Sequence, residues 1–200
     1  MTFPRGADWI LATTNAGKLA EYRDLLADLP ITFAALDRTS EAPEETGSSF
    51  AENALIKARH ASQASSKPAM ADDSGLCVAA LGGAPGVRSA RYAGPEASDH
   101  ANLERLLADL SHVEGDQRGA VFHCVIVALQ QPDDPAPVIA LGRWPGLIAA
   151  EPKGNNGFGY DPVFFDPVLG KTAAELSPDK KNAVSHRSRA CQELTRLLGF

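Results

Sequence analysis

Residues 120–129 are apolar almost without interruption and β-branched in places, and no other stretch narrows the choice of fold as far. Such a run suits a central strand buried on both faces, because a strand with one wet face alternates apolar and polar residues. Residues 138–141 and 147–150 read as its antiparallel neighbours, linked through the Gly- and Pro-containing segment 142–146. No internal repeat is visible.

Upstream, residues 9–12 form a short buried-strand candidate, followed by the polar loop 13–18 and then Leu19, Tyr22, Leu26 and Leu29 at helical spacing. Residues 31–36 read as a second strand. Residues 37–49 form an acidic loop punctuated by Pro and Gly that carries Glu41, Glu44 and Glu45. A helix runs from Phe50 to about Ser66, with Phe50, Ala54, Ala58 and Ala61 on one face and Asn53, Lys57 and His60 on another. Residues 69–71 and 75–81 read as strands flanking Asp72-Asp73, and 82–86 must turn, since that density of Gly and Pro continues neither regular structure. A helix is expected over 99–110, a glycine-rich loop over 153–162, a short strand over 163–165, and a last helix from about Ala183 to Leu198.

A chain of 200 residues has room for one domain with a sizeable core, or for two lobes about one cleft; a single domain, 1–200, is the expectation. Its net charge of -6 argues against wide contact with a nucleic-acid backbone, so any phosphate must be held locally. Cys77, Cys124 and Cys191 are widely spaced and odd in number, which indicates neither a disulfide framework nor a Cys-x-x-Cys metal site; they read as buried small hydrophobes. The N-terminus has no secretory pattern and nowhere do 18 apolar residues run together, so a cytoplasmic protein without a membrane partner is expected.

The chemistry-bearing residues fall in a few short runs. Asp72-Asp73-Ser74 could hold a divalent metal and activate water, the start of hydrolase chemistry, or simply cap a strand as solvated turn residues. Residues 13–18 end in Gly17-Lys18, but the run lacks the opening Gly of a P-loop and has Leu19 where a Ser or Thr should ligate Mg²⁺. A loop between strand and helix still offers backbone N–H groups, a helix dipole and Lys18 to a phosphate; a plain N-cap by Thr14 or Asn15 is the alternative. Asn53 and Lys57 fit a solvated helix face, and the spacing of His60, His100, His112 and His123 is not that of metal ligands. In the run from Gly154 to Pro162, backbone amides can approach a ligand while Phe158 and Tyr160 supply flat surface. Arg187 completes an apolar stripe of Val184, Cys191, Leu194 and Leu198, where a charge needs either a ligand or a buried carboxylate. With His186 beside it and Ser185 as a cap, several donors would aim at one point.

Six blocks taken in order, Thr13-Thr14-Asn15-Ala16-Gly17-Lys18, Ser49-Phe50-Ala51-Glu52-Asn53-Ala54, Ala71-Asp72-Asp73-Ser74-Gly75-Leu76, Gly82-Gly83-Ala84-Pro85-Gly86, Phe158-Gly159-Tyr160-Asp161-Pro162 and Ser185-His186-Arg187, closely resemble the inosine/xanthosine triphosphate pyrophosphatase family. The resemblance covers nearly the whole chain. It implies an α/β fold, an elongated mixed β-sheet flanked by helices with two lobes around a central active-site cleft, and commonly a homodimer. It implies Mg²⁺-dependent hydrolysis of ITP, dITP and XTP to monophosphate and pyrophosphate, which keeps deaminated purines out of DNA and RNA.

Carried onto this chain, the resemblance makes Asp73 the general base and a metal ligand, with Ser74 beside it on the substrate and Glu44 or Glu45 as the other metal ligand. Thr13, Thr14, Asn15, Ala16, Gly17 and Lys18 match the triphosphate loop, and Lys57 a second phosphate contact. Phe158, Gly159, Tyr160, Asp161, Lys181, His186 and Arg187 match the nucleoside-binding positions, with Phe158 or Tyr160 stacking on the purine. Donors from His186 and Arg187 would suit the O6 of hypoxanthine or xanthine and oppose the amine of adenine. A pyrophosphatase for modified pyrimidines, and a catalytically idle nucleotide sensor, are the rival readings.

Overall fold

The computed structural model describes residues 8–13, 15–35 and 42–199; Thr14, Leu36 and Glu41 lie outside the described residues. Its strands are β1 (Asp8–Leu11), β2 (Thr32–Ala35), β3 (Ala69–Val78), β4 (Gly119–Leu129), β5 (Val138–Ile148), β6 (Phe164–Asp166) and β7 (Lys171–Thr172). The helices are α1 (Ala16–Leu25), α2 (Phe50–Ser65), α3 (Asp99–Asp109), α4 (Pro178–Val184) and α5 (His186–Leu198). The apolar run at 120–129 is the interior of a seven-stranded sheet ordered β2-β1-β3-β4-β5-β6-β7. The sheet is mixed: β1 pairs parallel with β2 and β3, while β6 pairs antiparallel with β5 and β7. Only the second half of β4 is buried on both faces, from Cys124 onward; before it, half-buried Val121 and His123 alternate with buried residues.

The chain divides into two compact units. The first comprises Met1–Asp73, Cys124–Gly142 and Arg187–Phe200, the second Ser74–His123 and Arg143–His186. Two apolar clusters build the first unit. One joins Trp9, Leu11 and Met70 of the sheet to Tyr22 of α1 and to Ala190, Cys191 and Leu194 of α5. The other joins Ile10, Ala69 and Ala71 to Ala54, Ala58 and Ala61, whose small side chains let α2 lie close on the strands. Because side chains alternate along a strand, Met70 and Asp72 face one layer while Ala69, Ala71 and Asp73 face the other. The second unit has one cluster, in which Leu76, Val78, Phe122, Trp144, Tyr160 and Phe164 pack with Leu103 and Leu106 of α3.

Several expected boundaries shift. The aspartates do not separate two strands: β3 runs unbroken through them, because each buried carboxylate has cationic or amide partners and no loop is needed to reach water. Strand structure ends at Val78, and residues 79–81 are a 3-10 turn closed by Gly82 in the left-handed region, at φ 63°. Likewise β5 does not break at 142–146. Gly146 is there for close approach, since a Cβ would stand 2.6 Å from the Phe165 carbonyl oxygen. The C-terminal helix is two helices: Ser185 is extended (φ -67°, ψ 160°), so Val184 ends α4 and packs in the second unit, and Ala190 stands in the α5 stripe instead. Leu29 lies beyond the end of α1 but still packs on the core. Cys124 and Cys191 are buried as expected, whereas Cys77 is half-buried.

Candidate active site

Alternation in β3 splits the acidic pair. On one face Lys18 donates to Asp72 Oδ2 at 2.7 Å, and an Arg187 guanidinium nitrogen stands 4.0 Å from the same oxygen. Arg187 is also paired with Glu21 and lies over the Tyr22 ring, 5.6 Å from its centroid. Burial pushes the Asp72 carboxyl up, but Lys18, Arg187 and Lys57 together outweigh it and hold it well below the usual carboxylate range. The partners that a core-facing Arg187 requires are therefore carboxylates, Glu21 and Asp72.

The other face carries Asp73. Its Oδ1 accepts from Lys57 Nζ at 2.9 Å and its Oδ2 from Asn53 Nδ2 at 3.3 Å. Lys57 also donates to Glu45 Oε1 at 3.0 Å, so one ammonium holds two carboxylates. Burial raises the Asp73 carboxyl above its ordinary value, opposed by Lys57 and reinforced by Glu45. Lys57 is itself raised, since Asp73, Asp72 and Glu45 overcome its desolvation. The reading of Asn53 and Lys57 as a solvated face does not hold: Asn53 is fully buried and Lys57 mostly so, because their helix face is turned to Asp73. Glu44 is exposed, and Glu45 is the acidic-loop residue that reaches Lys57.

Thr13 and residues 15–18 behave locally as a capped helix start. Asn15 accepts from the Lys18 backbone N–H at 3.0 Å, Thr13 Oγ1 accepts from the Asn15 N–H at 3.3 Å, and Ala16 and Gly17 open α1. Asn15 is thus the cap, and the site expectation for Thr14 lies outside the described residues. Ser74 follows Asp73 in β3 and is half-buried.

In the second unit Asp161 organises the glycine-rich loop. Its Oδ2 accepts from the Phe158 N–H at 2.9 Å and from Lys181 Nζ at 2.6 Å. Lys181 in turn stands 4.9 Å from the Phe158 ring centroid. A Cβ on Gly157, whose φ is 76°, would meet Asp161 Oδ2 at 2.0 Å, so the loop can close only on glycine. The Gly159 N–H donates to Asp99 of α3 at 2.8 Å. His186 is buried and stacked on Phe122, with centroids 4.7 Å apart. Tyr160 is a core residue: it is buried, and its hydroxyl donates to the Ser89 carbonyl at 2.8 Å. Of the two aromatics considered for stacking, Phe158 is the one outside the core.

Three contributors were not singled out from the sequence as site residues. Asn53 and Glu21 could have been found from helical spacing, one turn before Lys57 and one turn after Lys18. Asp99 carries no such signal, because its contact with Gly159 spans 60 residues.

An α/β sheet presenting a buried, lysine-held carboxylate beside further cations defines a protein equipped to handle phosphorylated ligands. Comparison with known proteins is more specific. A model of the Ham1 family matches residues 9–197. The dITP/XTP pyrophosphatase of Yersinia pseudotuberculosis is 56% identical over 182 residues, covering 90% of this chain and 92% of that protein. The dITP/XTP pyrophosphatase of Escherichia coli K12 is 52% identical over 186 residues, covering 92% and 94%. Among solved structures, a HAM1 protein from Coxiella burnetii superposes with a TM-score of 0.90 at 49% identity, covering 96% of this chain and 98% of that one. This chain belongs to the Ham1 family.

Proposed function

We propose that this chain hydrolyses the deaminated purine nucleoside triphosphates dITP, ITP and XTP to the monophosphate and pyrophosphate, keeping those bases out of DNA and RNA. The observation that carries the reading is the Asp73–Lys57–Glu45 cluster on one face of β3, in a chain more than half identical to proteins named dITP/XTP pyrophosphatase.

Asp73 is the general base. Its raised carboxyl suits taking a proton from water, a contribution of about 10²–10⁴-fold in comparable steps. Attack at the α-phosphorus expels pyrophosphate, so negative charge grows on the leaving group and cations matter more than nucleophile strength. Lys18 and Lys57 supply them, with residues 13–18 receiving the triphosphate and Ser74 contacting it.

The donor set also fits a divalent cation. Asp73 and Glu45 aim hard oxygens at one ammonium, 2.9 and 3.0 Å away, so that spot already favours positive charge. Among the described residues no three His, Cys, Asp or Glu side chains form a ligand cluster. Mg²⁺ suits the Asp73 and Glu45 pair, because it is commonly held by one or two carboxylates together with substrate phosphates. Asp73 and Glu45, rather than the exposed Glu44, would hold it. When bound, Mg²⁺ neutralises phosphate charge.

For the nucleoside, Phe158 offers the stacking surface, with Gly159, Asp161 and Lys181 fixing its loop. The resemblance gives His186 and Arg187 as donors toward O6, the Arg187 guanidinium being held by Glu21 and Asp72. Family resemblance supports a homodimer, and the absence of a secretory pattern in the sequence supports a cytoplasmic place of action; among the described residues no helix is long and apolar enough to cross a membrane.

The test is a panel of purine and pyrimidine triphosphates assayed with and without Mg²⁺, with products identified. Monophosphate plus pyrophosphate from dITP, ITP and XTP, dependent on Mg²⁺, is expected. Diphosphate plus phosphate, or preference for a pyrimidine, overturns the assignment.

A further inference from the structure

We propose that Asn53 is a positioning residue for the hydrolysis described above: one buried amide aims the Asp73 carboxylate and ties the acidic loop to it. This rests on the proposed function, and extends it to a residue that touches neither phosphate nor base in that reading.

The start of α2 does not need Asn53 for capping. Ser49 accepts from the Glu52 N–H at 3.3 Å, and Glu52 Oε2 accepts from the Ser48 N–H, the Ser48 hydroxyl and the Ser49 N–H at 2.7, 2.8 and 3.0 Å. Packing does not require it either, since Ala54, Ala58 and Ala61 seat the helix on the sheet. A fully buried side-chain amide nonetheless costs stability unless both ends are bonded.

Both ends are bonded, toward the chemistry. Asn53 Oδ1 accepts from the Gly47 N–H at 2.8 Å, and Nδ2 donates to Asp73 Oδ2 at 3.3 Å. Only the oxygen end can receive an N–H and only the nitrogen end can donate to a carboxylate, so the amide has one orientation. Lys57, one turn along α2, holds the other Asp73 oxygen and also Glu45. Upstream of the Ser48 and Ser49 bonds to Glu52, the loop is therefore tied to α2 at Glu45 through Lys57 and at Gly47 through Asn53. Glycine at 47 is part of the arrangement, since a Cβ there would stand 2.6 Å from Asn53 Oδ1. Without Asn53 one Asp73 carboxylate oxygen loses its amide donor and Gly47, two residues from Glu45, loses its tie to α2. Supports of this kind fix the last fraction of an ångström in a reacting group's placement.

The test combines kinetics on dITP with amide hydrogen exchange at Gly47, in the full chain. In N53A, Gly47 should exchange about tenfold faster or more. Its kcat should fall about 10- to 100-fold, the usual cost of removing such a support, with KM within about threefold of wild type. N53D separates the two ties: it keeps an acceptor for Gly47 but sets a carboxylate oxygen against Asp73, so slow exchange is retained while kcat is lost. G47A should reproduce the kcat loss by displacing Asn53, giving a readout should N53A fold poorly. If N53D and G47A keep kcat within about twofold, or if Gly47 exchanges alike in wild type and N53A, the positioning role is refuted. A wild type that releases no pyrophosphate from any purine triphosphate would remove the proposed function instead, while the exchange comparison still decides the tether.

Discussion

Phe158 and Tyr160 stand two positions apart in the same glycine-rich loop, and their surroundings give them unlike tasks. Tyr160 is walled into the second unit's core with its hydroxyl on the Ser89 carbonyl, and burial drives its phenol far above the ordinary range. Phe158 is half-buried, its N–H held by Asp161 and its ring under the Lys181 ammonium. Phe158→Ala should therefore raise KM for dITP about tenfold or more with little change in kcat, as expected when a stacked base loses its platform. Tyr160→Phe should leave KM near wild type and lower unfolding stability by about 1 kcal/mol, the worth of one hydrogen bond. Steady-state kinetics and denaturant midpoints on the two variants distinguish these outcomes; equal KM effects would mean that both rings serve the ligand. The loop is recognisable from its residues, but the division of labour within it is not. What separates the two aromatics is Ser89, 71 positions from Tyr160, and no local pattern encodes that contact.

Elements were legible where one signal dominated and illegible where glycine or proline had a second use. The alanine face of α2 and the apolar stretch of β4 came through with nearly the expected bounds, because periodicity and length agree there. The breaks expected in β3 and β5 came from reading Asp72-Asp73 and the Gly- and Pro-containing segment 142–146 as interruptions. In the fold the aspartates are satisfied by side chains from α1 and α2, and Gly146 makes room for Phe165. A similar long-range tie sets how α3 and the end of β5 are held. Arg118 donates to the Ile148, Leu110, Val113 and Ala149 carbonyls at 2.8, 3.0, 3.0 and 3.3 Å. Only a guanidinium fork reaches so many acceptors at once. R118K should thus lower unfolding stability by about 1–3 kcal/mol while leaving kcat/KM unchanged well below the midpoint. Thermal melts paired with activity at low temperature check it; an unshifted melt would mean that water replaces the fork without cost.

For the molecule as a whole, the two neighbouring aspartates act on stability in opposite directions. Adjacency made them look like one acidic site, and the six-block resemblance implies chemistry there, but strand alternation gives each its own partners. Asp72 is lowered in the fold, so its contribution is fully present above the ordinary aspartate value of 3.8 and is lost as pH falls through its lower folded value. Asp73 is raised, so the fold favours its protonated form; that contribution is present below 3.8 and is lost as pH rises through the raised folded value. D72N should then melt well below wild type at neutral pH, by about 3–5 kcal/mol for a buried charge pair broken on one side. Its deficit should shrink as pH drops below the carboxylate range. D73N should do the reverse, melting at or above wild type at neutral pH and converging with it in acid, while losing about 10²–10⁴-fold in turnover. Lys57 keeps Glu45 as its partner in that variant, so no buried ammonium is stranded. Calorimetry of both variants from pH 3 to 8, beside pyrophosphate release at neutral pH, decides the matter. A D73N protein markedly less stable than wild type at neutral pH would mean that the Lys57 and Asn53 contacts outweigh desolvation, and that Asp73 holds the scaffold together as well as activating water.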